Sequence, residues 1–227
     1  MTKTLRRLSS AFLATIVAFV LIGTGSARAV VVLDQSSNTG GGFGSAAIYG
    51  AFGGSPRIGQ AVAQTFTVGT SGVLDHIDVS DLSLRGSGQS PLTLELRNVS
   101  AGEPGGTVLA TSSVNAGDLV GGTATFDLSG FGLNFNIGDL LSFSLVSDSN
   151  LGDDYFVSVF AGSYAPGASF LGPKAGTGPW DGSFFDGADL HFQTFVDQSA
   201  SVPAPGMLAI FGLGLAVIGC ARRKRAA

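Results

Sequence analysis

The middle of the chain alternates apolar and polar residues with a period of two. In residues 92–97, three leucines alternate with threonine, glutamate and arginine, which places the leucines on one face of an extended chain. Comparable strand-like runs occur at 64–68, 107–113, 123–128, 141–145, 155–160 and 189–196. The pattern predicts a series of β-strands that each bury one face.

Clusters of glycine, proline and serine separate these runs, at residues 69–72, 85–88, 101–106 and 121–122. Short strands separated by such turns are typical of antiparallel sandwiches. We therefore predict an all-β fold, an antiparallel β-sandwich of jelly-roll or immunoglobulin-like topology, over residues 60–198. Residues 30–59 are rich in glycine, serine and asparagine and are predicted to form a loop or a loosely held edge.

The first 29 residues have the pattern of a secretory signal peptide. Basic residues precede the apolar run 8–22, and Ala27 and Ala29 supply the small-residue pattern that signal peptidase cleaves. We predict a signal helix within residues 1–29, cleavage after Ala29 and a mature chain that begins at Val30. An uncleaved membrane anchor is the alternative.

A linker, an apolar run and a basic end follow one another at the C-terminus. The linker covers residues 199–206 and the apolar run covers 207–221. A helix over that run extends about 22 Å, and one counted from Pro203 about 28 Å, against a hydrocarbon core of about 30 Å. We predict a hydrophobic anchor helix that spans a membrane marginally, with a buried helix of the domain as the alternative. The positive-inside rule keeps the basic end 222–227 cytoplasmic, and four residues form this membrane stop: Arg222, Arg223, Lys224 and Arg225.

The tail resembles a known sorting signal. Its order, Val202-Pro203-Ala204-Pro205 followed by a glycine-rich apolar run and an arginine-rich end, is similar to the PEP-CTERM signal of exopolysaccharide-producing Gram-negative bacteria. That family has Pro-Glu-Pro where this chain has Pro203-Ala204-Pro205. The resemblance implies export, transient residence in the inner membrane, processing by the membrane protease exosortase, and delivery to the cell surface or to a biofilm matrix.

The middle region resembles choice-of-anchor surface domains, type R among them. The likeness lies in residues 64–68, 94–97 and 102–110. Those domains occur attached to interchangeable anchoring signals, so the resemblance implies an extracellular β domain without a defined activity.

Charge separates the middle of the chain from its ends. The segment 30–198 holds four basic and all 16 acidic residues, a formal net charge of −12. An acidic surface repels phosphate backbones, so nucleic acid is not an expected partner. The single cysteine, Cys220, excludes an internal disulfide; it lies in the apolar tail, where we interpret it as a small apolar residue, with lipid attachment as the alternative.

Catalytic motifs are absent from the sequence. No Gly-x-Ser-x-Gly elbow and no phosphate-binding Gly-x-x-x-x-Gly-Lys-Ser/Thr loop occurs. The two histidines, His76 and His191, would have to meet near Asp75, Asp78 or Asp189 to form a metal site, and zinc commonly needs three protein ligands. We interpret them as separate histidines on strand surfaces and predict that the protein is not an enzyme, with no catalytic residues and no required cofactor.

A calcium candidate lies in an acidic loop. It offers oxygen ligands from Asp148, Asn150, Asp153 and Asp154, but it lacks the glutamate and flanking helices of an EF-hand. Turns rich in aspartate and asparagine are the simpler interpretation. A second group, Asp75, Asp78 and Asp81, has mixed parity on an extended chain, so these three carboxylates are not expected to share one face.

Trp180, Asp181 and Phe184 form the best candidate for ligand contact. An exposed indole beside a carboxylate could stack on a sugar of an extracellular polysaccharide, whereas a buried one would close an end of the sandwich. The leading hypothesis is an exported, non-enzymatic β-sandwich of the envelope or exopolysaccharide matrix. The alternatives are a carbohydrate-binding module that uses the Trp180 loop and a metal-assisted hydrolase that uses both histidines.

Overall fold

Strands make up most of the residues that the computed structural model describes, which are 30–52, 55–162, 164–174, 179–182, 185 and 187–198. The signal segment 1–29 and the tail 199–227, with their predicted helices, lie outside these residues. Within the described part, no helix has the length and apolar character needed to cross a membrane.

The chain forms fourteen strands within the described residues: β1 Val31–Ser37, β2 Gly41–Phe52, β3 Ser55–Thr67, β4 Gly72–Val79, β5 Leu82–Leu84, β6 Leu92–Ser100, β7 Glu103–Val114, β8 Ala124–Asp127, β9 Asn134–Phe135, β10 Leu140–Ser147, β11 Tyr155–Ala161, β12 Ser169–Pro173, β13 Ala188–Leu190 and β14 Phe192–Asp197. Two single-turn 3₁₀ helices lie at Ala116–Asp118 and Ser129–Phe131.

These strands form two antiparallel sheets. The smaller sheet has the order β1-β14-β4-β8, with β9 also paired to β4. The larger sheet has the order β13-β11-β2-β3-β10-β6-β7, with β12 paired to β3 and β5 paired to β11. One hydrophobic core contains residues of both sheets, so the prediction of an all-β antiparallel sandwich is confirmed.

The core follows the period-two pattern. Leu92, Leu94 and Leu96 of β6 are fully buried in it, as the alternation predicts. The rings of Phe66 and Phe143, from the larger sheet, contact Phe192 of the smaller sheet at centroid distances of 6.1 and 5.5 Å. Each such burial contributes about 1.5–3 kcal/mol, so these contacts hold the two sheets together. The residues Val30–Gln198 form one compact unit with this core inside it.

The glycine-rich segment 30–59 forms strands and not a loop. β1 lies at an edge of the smaller sheet, whereas β2 pairs with β11 and β3 inside the larger sheet. Two glycines permit close approach of backbones: a Cβ at Gly50 would lie 2.8 Å from the Cα of Asp148, and one at Gly59 would lie 2.5 Å from the carbonyl oxygen of Tyr49. At these two positions glycine therefore reflects tight packing between chain segments.

The predicted strand 189–196 is two strands in the structure. β13 pairs with β11 in the larger sheet, and β14 pairs with β4 and β1 in the smaller one. The chain passes from one sheet to the other at His191, between these two strands. The alternation of apolar residues continues from β13 through His191 into β14. In both strands the apolar side chains face the core that the two sheets share.

Candidate functional site

Trp180 is buried on the outer face of the larger sheet. Its side chain is 6 % exposed and packs in a small cluster with Ala61, Ala63, Val146 and Phe170. A Cβ at Gly172 would collide with the six-membered ring of the indole, so the glycine makes room for the ring. The indole therefore closes over the sheet and does not offer a free face to a sugar ring.

The other two predicted contact residues are Asp181 and Phe184. Asp181 is exposed, and its backbone forms an isolated antiparallel bridge with Leu171, with N–H to oxygen distances of 2.7 and 3.0 Å. Phe184 lies outside the described residues. Of the three predicted contact residues, the structure thus describes two, the buried Trp180 and the exposed Asp181.

The acidic loop 148–154 holds chain segments together. The buried carboxylate of Asp154 accepts two hydrogen bonds from Arg85, from Nε and from Nη2, each 2.7 Å long. One oxygen of Asp153 accepts the backbone N–H of Ser87 at 2.9 Å. Asp148 forms an ion pair with Lys174.

The four calcium candidates consequently face different partners. The backbone carbonyl of Asn150 accepts the N–H of Asp153 at 3.0 Å, which closes a turn. Among the described residues, no group of three or more His, Cys, Asp or Glu side chains is placed to hold a metal ion. The loop joins β10 to β11 and fastens the segment after β5; sequence analysis could not find this pairing, because Arg85 and Asp154 lie 69 residues apart.

His76 and His191 lie apart, each with its own carboxylate. The Nδ1 of His76 is 2.6 Å from an oxygen of Asp75, and the Nδ1 of His191 is 2.7 Å from an oxygen of Asp81. The backbone carbonyl of His191 accepts a hydrogen bond from the N–H of Ser80. Ser80 lies four residues beyond His76, which corresponds to about 13 Å along an extended chain. The histidines do not meet in a shared metal site.

A β-bulge explains why Asp75 reaches His76. The pairing of β4 with β14 shifts register so that His76 lies opposite Phe195 while Leu74 lies opposite Val196, which leaves Asp75 as the extra residue. Strict alternation therefore fails at this point of β4. Asp78 instead accepts a hydrogen bond of 2.6 Å from Thr125, so the three carboxylates of the second acidic group have three different partners.

A row of side chains crosses the outer face of the smaller sheet. Leu33, Phe195, His76 and Asp127 lie opposite one another on four successive strands, and the imidazole stacks on the Phe195 ring at 4.2 Å. Hydrogen bonds from Ser129 lower the pKa of Asp127, and the nearby His76 lowers it further. Sequence analysis missed this row, since only the register of four strands brings it together.

Asp189 lies in a buried polar network. It accepts hydrogen bonds of 2.9 Å from the amide of Gln64 and from the backbone N–H of Tyr164, and the Gln64 oxygen accepts the N–H of Leu190 at 3.0 Å. Burial raises the pKa of Tyr164, and the neighbouring Asp34 and Asp189 raise it further. The network connects β3 to β13, which gives Asp189 a structural partner rather than a place beside a histidine.

The described part of the chain also has an open groove of about 350 Å³ beside β12. Its lining is uncharged and consists of Tyr49, Gly59, Gln60, Leu171, Gly172, Pro173 and Pro179. The lining includes no carboxylate, imidazole or thiol that could act as an acid, a base or a nucleophile.

Residues 201–224 match the family model of the PEP-CTERM protein-sorting motif. The match includes Val202, Pro203, Ala204 and Pro205 and three of the four residues of the membrane stop, Arg222, Arg223 and Lys224. The resemblance of the tail to this signal is thereby confirmed. The motif implies processing by an exosortase-like enzyme, export, and a cell-surface or extracellular location.

No curated protein matches the chain. Among solved structures, the chain is similar to the cysteine protease and lectin-like domains of Cwp84, a surface layer associated protein of Clostridium difficile. The sequence identity is 14 %, the match covers 61 % of this chain and 32 % of that chain, and the TM-score is 0.42. The chain thus spans about a third of the length of that structure.

Proposed function

We propose that the protein is a non-enzymatic β-sandwich of the cell envelope or of the exopolysaccharide matrix, exported and sorted by its two ends. The observation that carries the proposal is the match of residues 201–224 to the PEP-CTERM motif. The compact unit Val30–Gln198 begins directly after the predicted cleavage site at Ala29 and ends shortly before the matched tail. This order is what an exported domain with a removable signal at each end requires.

The charge distribution supports the proposed route. The signal segment and the tail end both carry basic residues, which stay on the cytoplasmic side of the membrane during insertion. The segment between them, with its formal net charge of −12, is the part that crosses. Signal peptidase then acts after Ala29, the tail holds the chain in the inner membrane for a time, and an exosortase-like protease releases it.

The polar side chains that were candidates for chemistry make contacts within the fold, which supports a structural role for the sandwich. Asp153 and Asp154 fasten a loop, Asp189 joins two strands, and each histidine has a carboxylate at Nδ1. Because these groups are already engaged in holding the fold, the surface that remains for function is the acidic exterior. A hydrated acidic domain suits a component of a polysaccharide matrix, in the manner expected of a choice-of-anchor domain.

Deletion of Pro203–Ala227 from the full chain tests the sorting role. We expect the truncated protein in the periplasm or the medium, because the apolar run and the basic stop are both removed. Fractionation and immunoblotting measure the distribution. The matched control is Cys220→Ala, which keeps the apolar run and should leave localisation unchanged. A truncated protein that stays in the membrane fraction would show that the tail is not the sorting element.

A further inference from the structure

Strand β7 leaves one edge of the larger sheet open. It is the last strand in the order of that sheet and pairs with β6 along one side. Within the described part of the chain, nothing pairs with its other side. Its outward N–H and C=O groups therefore present a template on which another strand can add.

The second half of this edge lacks the features that usually protect such strands. Edge strands are commonly guarded by lysine, proline, inward charges or bulges. Pro104 and the glycines of β7 lie at its beginning, and both register shifts against β6 lie before Ala110, one of them between Val108 and Ala110. The remaining part, residues 110–114, has no charged residue, no proline, no glycine and no register shift, and Thr111 and Ser113 are exposed.

The other sheet edges are less suited to pairing. β1 carries Asp34 and has a register shift between Leu33 and Gln35. β8 has four residues and β13 has three. β7 has twelve residues and pairs in continuous register with β6 from Ala110 to Val114, so it is the long, regular edge.

Electrostatics favours this edge for contact between like molecules. The unit Val30–Gln198 carries a formal net charge of −12, so two copies repel over most of their surfaces. No charged residue occurs between Glu103 and Asp118, so a second copy that pairs with β7 meets no like charge on this part of the strand itself. A second copy also brings the same uncharged strand, so the two edges are alike in length and polarity.

We infer that β7 is a self-association surface, on which two copies pair β7 to β7 in antiparallel orientation. A two-fold axis between them uses the same surface on both copies, and an antiparallel pair satisfies this symmetry. The larger sheet then runs continuously through the dimer. With the axis at Ser112, the middle of the regular part 110–114, Thr111 of each copy lies opposite Ser113 of the other. This inference does not depend on the proposed sorting.

Sedimentation velocity of the unit Val30–Gln198 over a range of concentrations tests it. We expect a reversible monomer–dimer equilibrium that tightens as salt screens the acidic surfaces. Thr111→Lys should weaken the dimer about tenfold or more, because it places two like charges on the same face, diagonally across the axis. Ser113→Lys is a second variant of the same edge, and circular dichroism verifies that each variant is folded.

The matched control is Val31→Lys, which adds the same charge to an exposed position of β1. It should dimerise like the unmodified unit. The inference is overturned if the unmodified unit is monomeric throughout, if the β7 variants dimerise as it does, or if Val31→Lys dissociates the dimer while the β7 variants do not.

Discussion

At the scale of single residues, the acidic side chains of this domain differ greatly in what they contribute. Asp154 is fully buried and accepts two hydrogen bonds from one edge of the Arg85 guanidinium, which also lies over the ring of Phe156 at 5.0 Å. Asp148 forms its ion pair with Lys174 while 81 % of its side chain is exposed. Burial and geometry, rather than the presence of an ion pair, decide which carboxylate stabilises the fold.

Asp154→Asn should therefore destabilise the domain by about 1–3 kcal/mol, since a buried acceptor of two charged hydrogen bonds is lost. The expected loss is below that of a fully buried pair, because Arg85 is 46 % exposed. Asp148→Asn is the matched control and should change stability by no more than about 0.5 kcal/mol. Urea unfolding measures the loss of stability in each variant. Equal losses in Asp154→Asn and Asp148→Asn would contradict this prediction.

Two buried tyrosines make stability depend on alkaline pH. Burial raises the pKa of Tyr155 and of Tyr164 above the ordinary value of 10.0. The folded state thus holds these phenolic protons more tightly than the unfolded state does, and its stability is full below pH 10 and falls as the pH rises through the higher folded pKa. Absorbance titration of the folded unit should show these two phenols ionising later than in the urea-unfolded unit, and coincident titrations would refute the prediction.

At the scale of secondary-structure elements, glycine has two opposite effects in β2 and β3. A Cβ at Gly59 would collide with backbone atoms of β2, whereas a Cβ at Gly42 would have no atom within 4 Å. Gly59→Ala should therefore cost about 1–3 kcal/mol, because the neighbouring backbone must move. Gly42→Ala should be neutral or stabilise by up to about 1 kcal/mol, since it lowers the entropy of the unfolded chain. Thermal unfolding of both variants measures whether Gly59→Ala lowers the unfolding temperature while Gly42→Ala keeps or raises it.

The same elements show how far the fold could be predicted from the sequence. β6 and β10 were predictable because apolar residues alternate through them, although in β10 the serines of the other face, Ser142 and Ser144, are buried as well. β2 was not, since its glycine-rich sequence resembles a loop, and only the neighbouring chain reveals the close backbone approach at Gly50. β4 was missed because the bulge at Asp75 interrupts its alternation. The partners of the candidate site residues could not be predicted. Pairs such as Arg85 with Asp154 join residues that are far apart in the sequence, and no local pattern encodes them.

At the scale of the whole molecule, the proposed route has two terminal signals that act on one acidic domain. Each signal combines an apolar run with basic residues, so either could hold the chain in a membrane if it were not removed. The proposed route requires both removals, one after Ala29 and one at the tail. The two signals are therefore expected to be redundant for membrane retention and separable by mutation.

A combined variant tests this redundancy. Ala27→Leu with Ala29→Leu removes the small residues that signal peptidase needs, so the N-terminal segment should remain attached. Added to the deletion of Pro203–Ala227, this change should return the truncated protein to the membrane fraction. Ala27→Gly with Ala29→Gly keeps small residues and should leave the truncated protein released. Mass spectrometry should find Val30 at the N-terminus only in the glycine variant. Release of the leucine variant with its first 29 residues attached would show that the N-terminal segment does not act as an anchor.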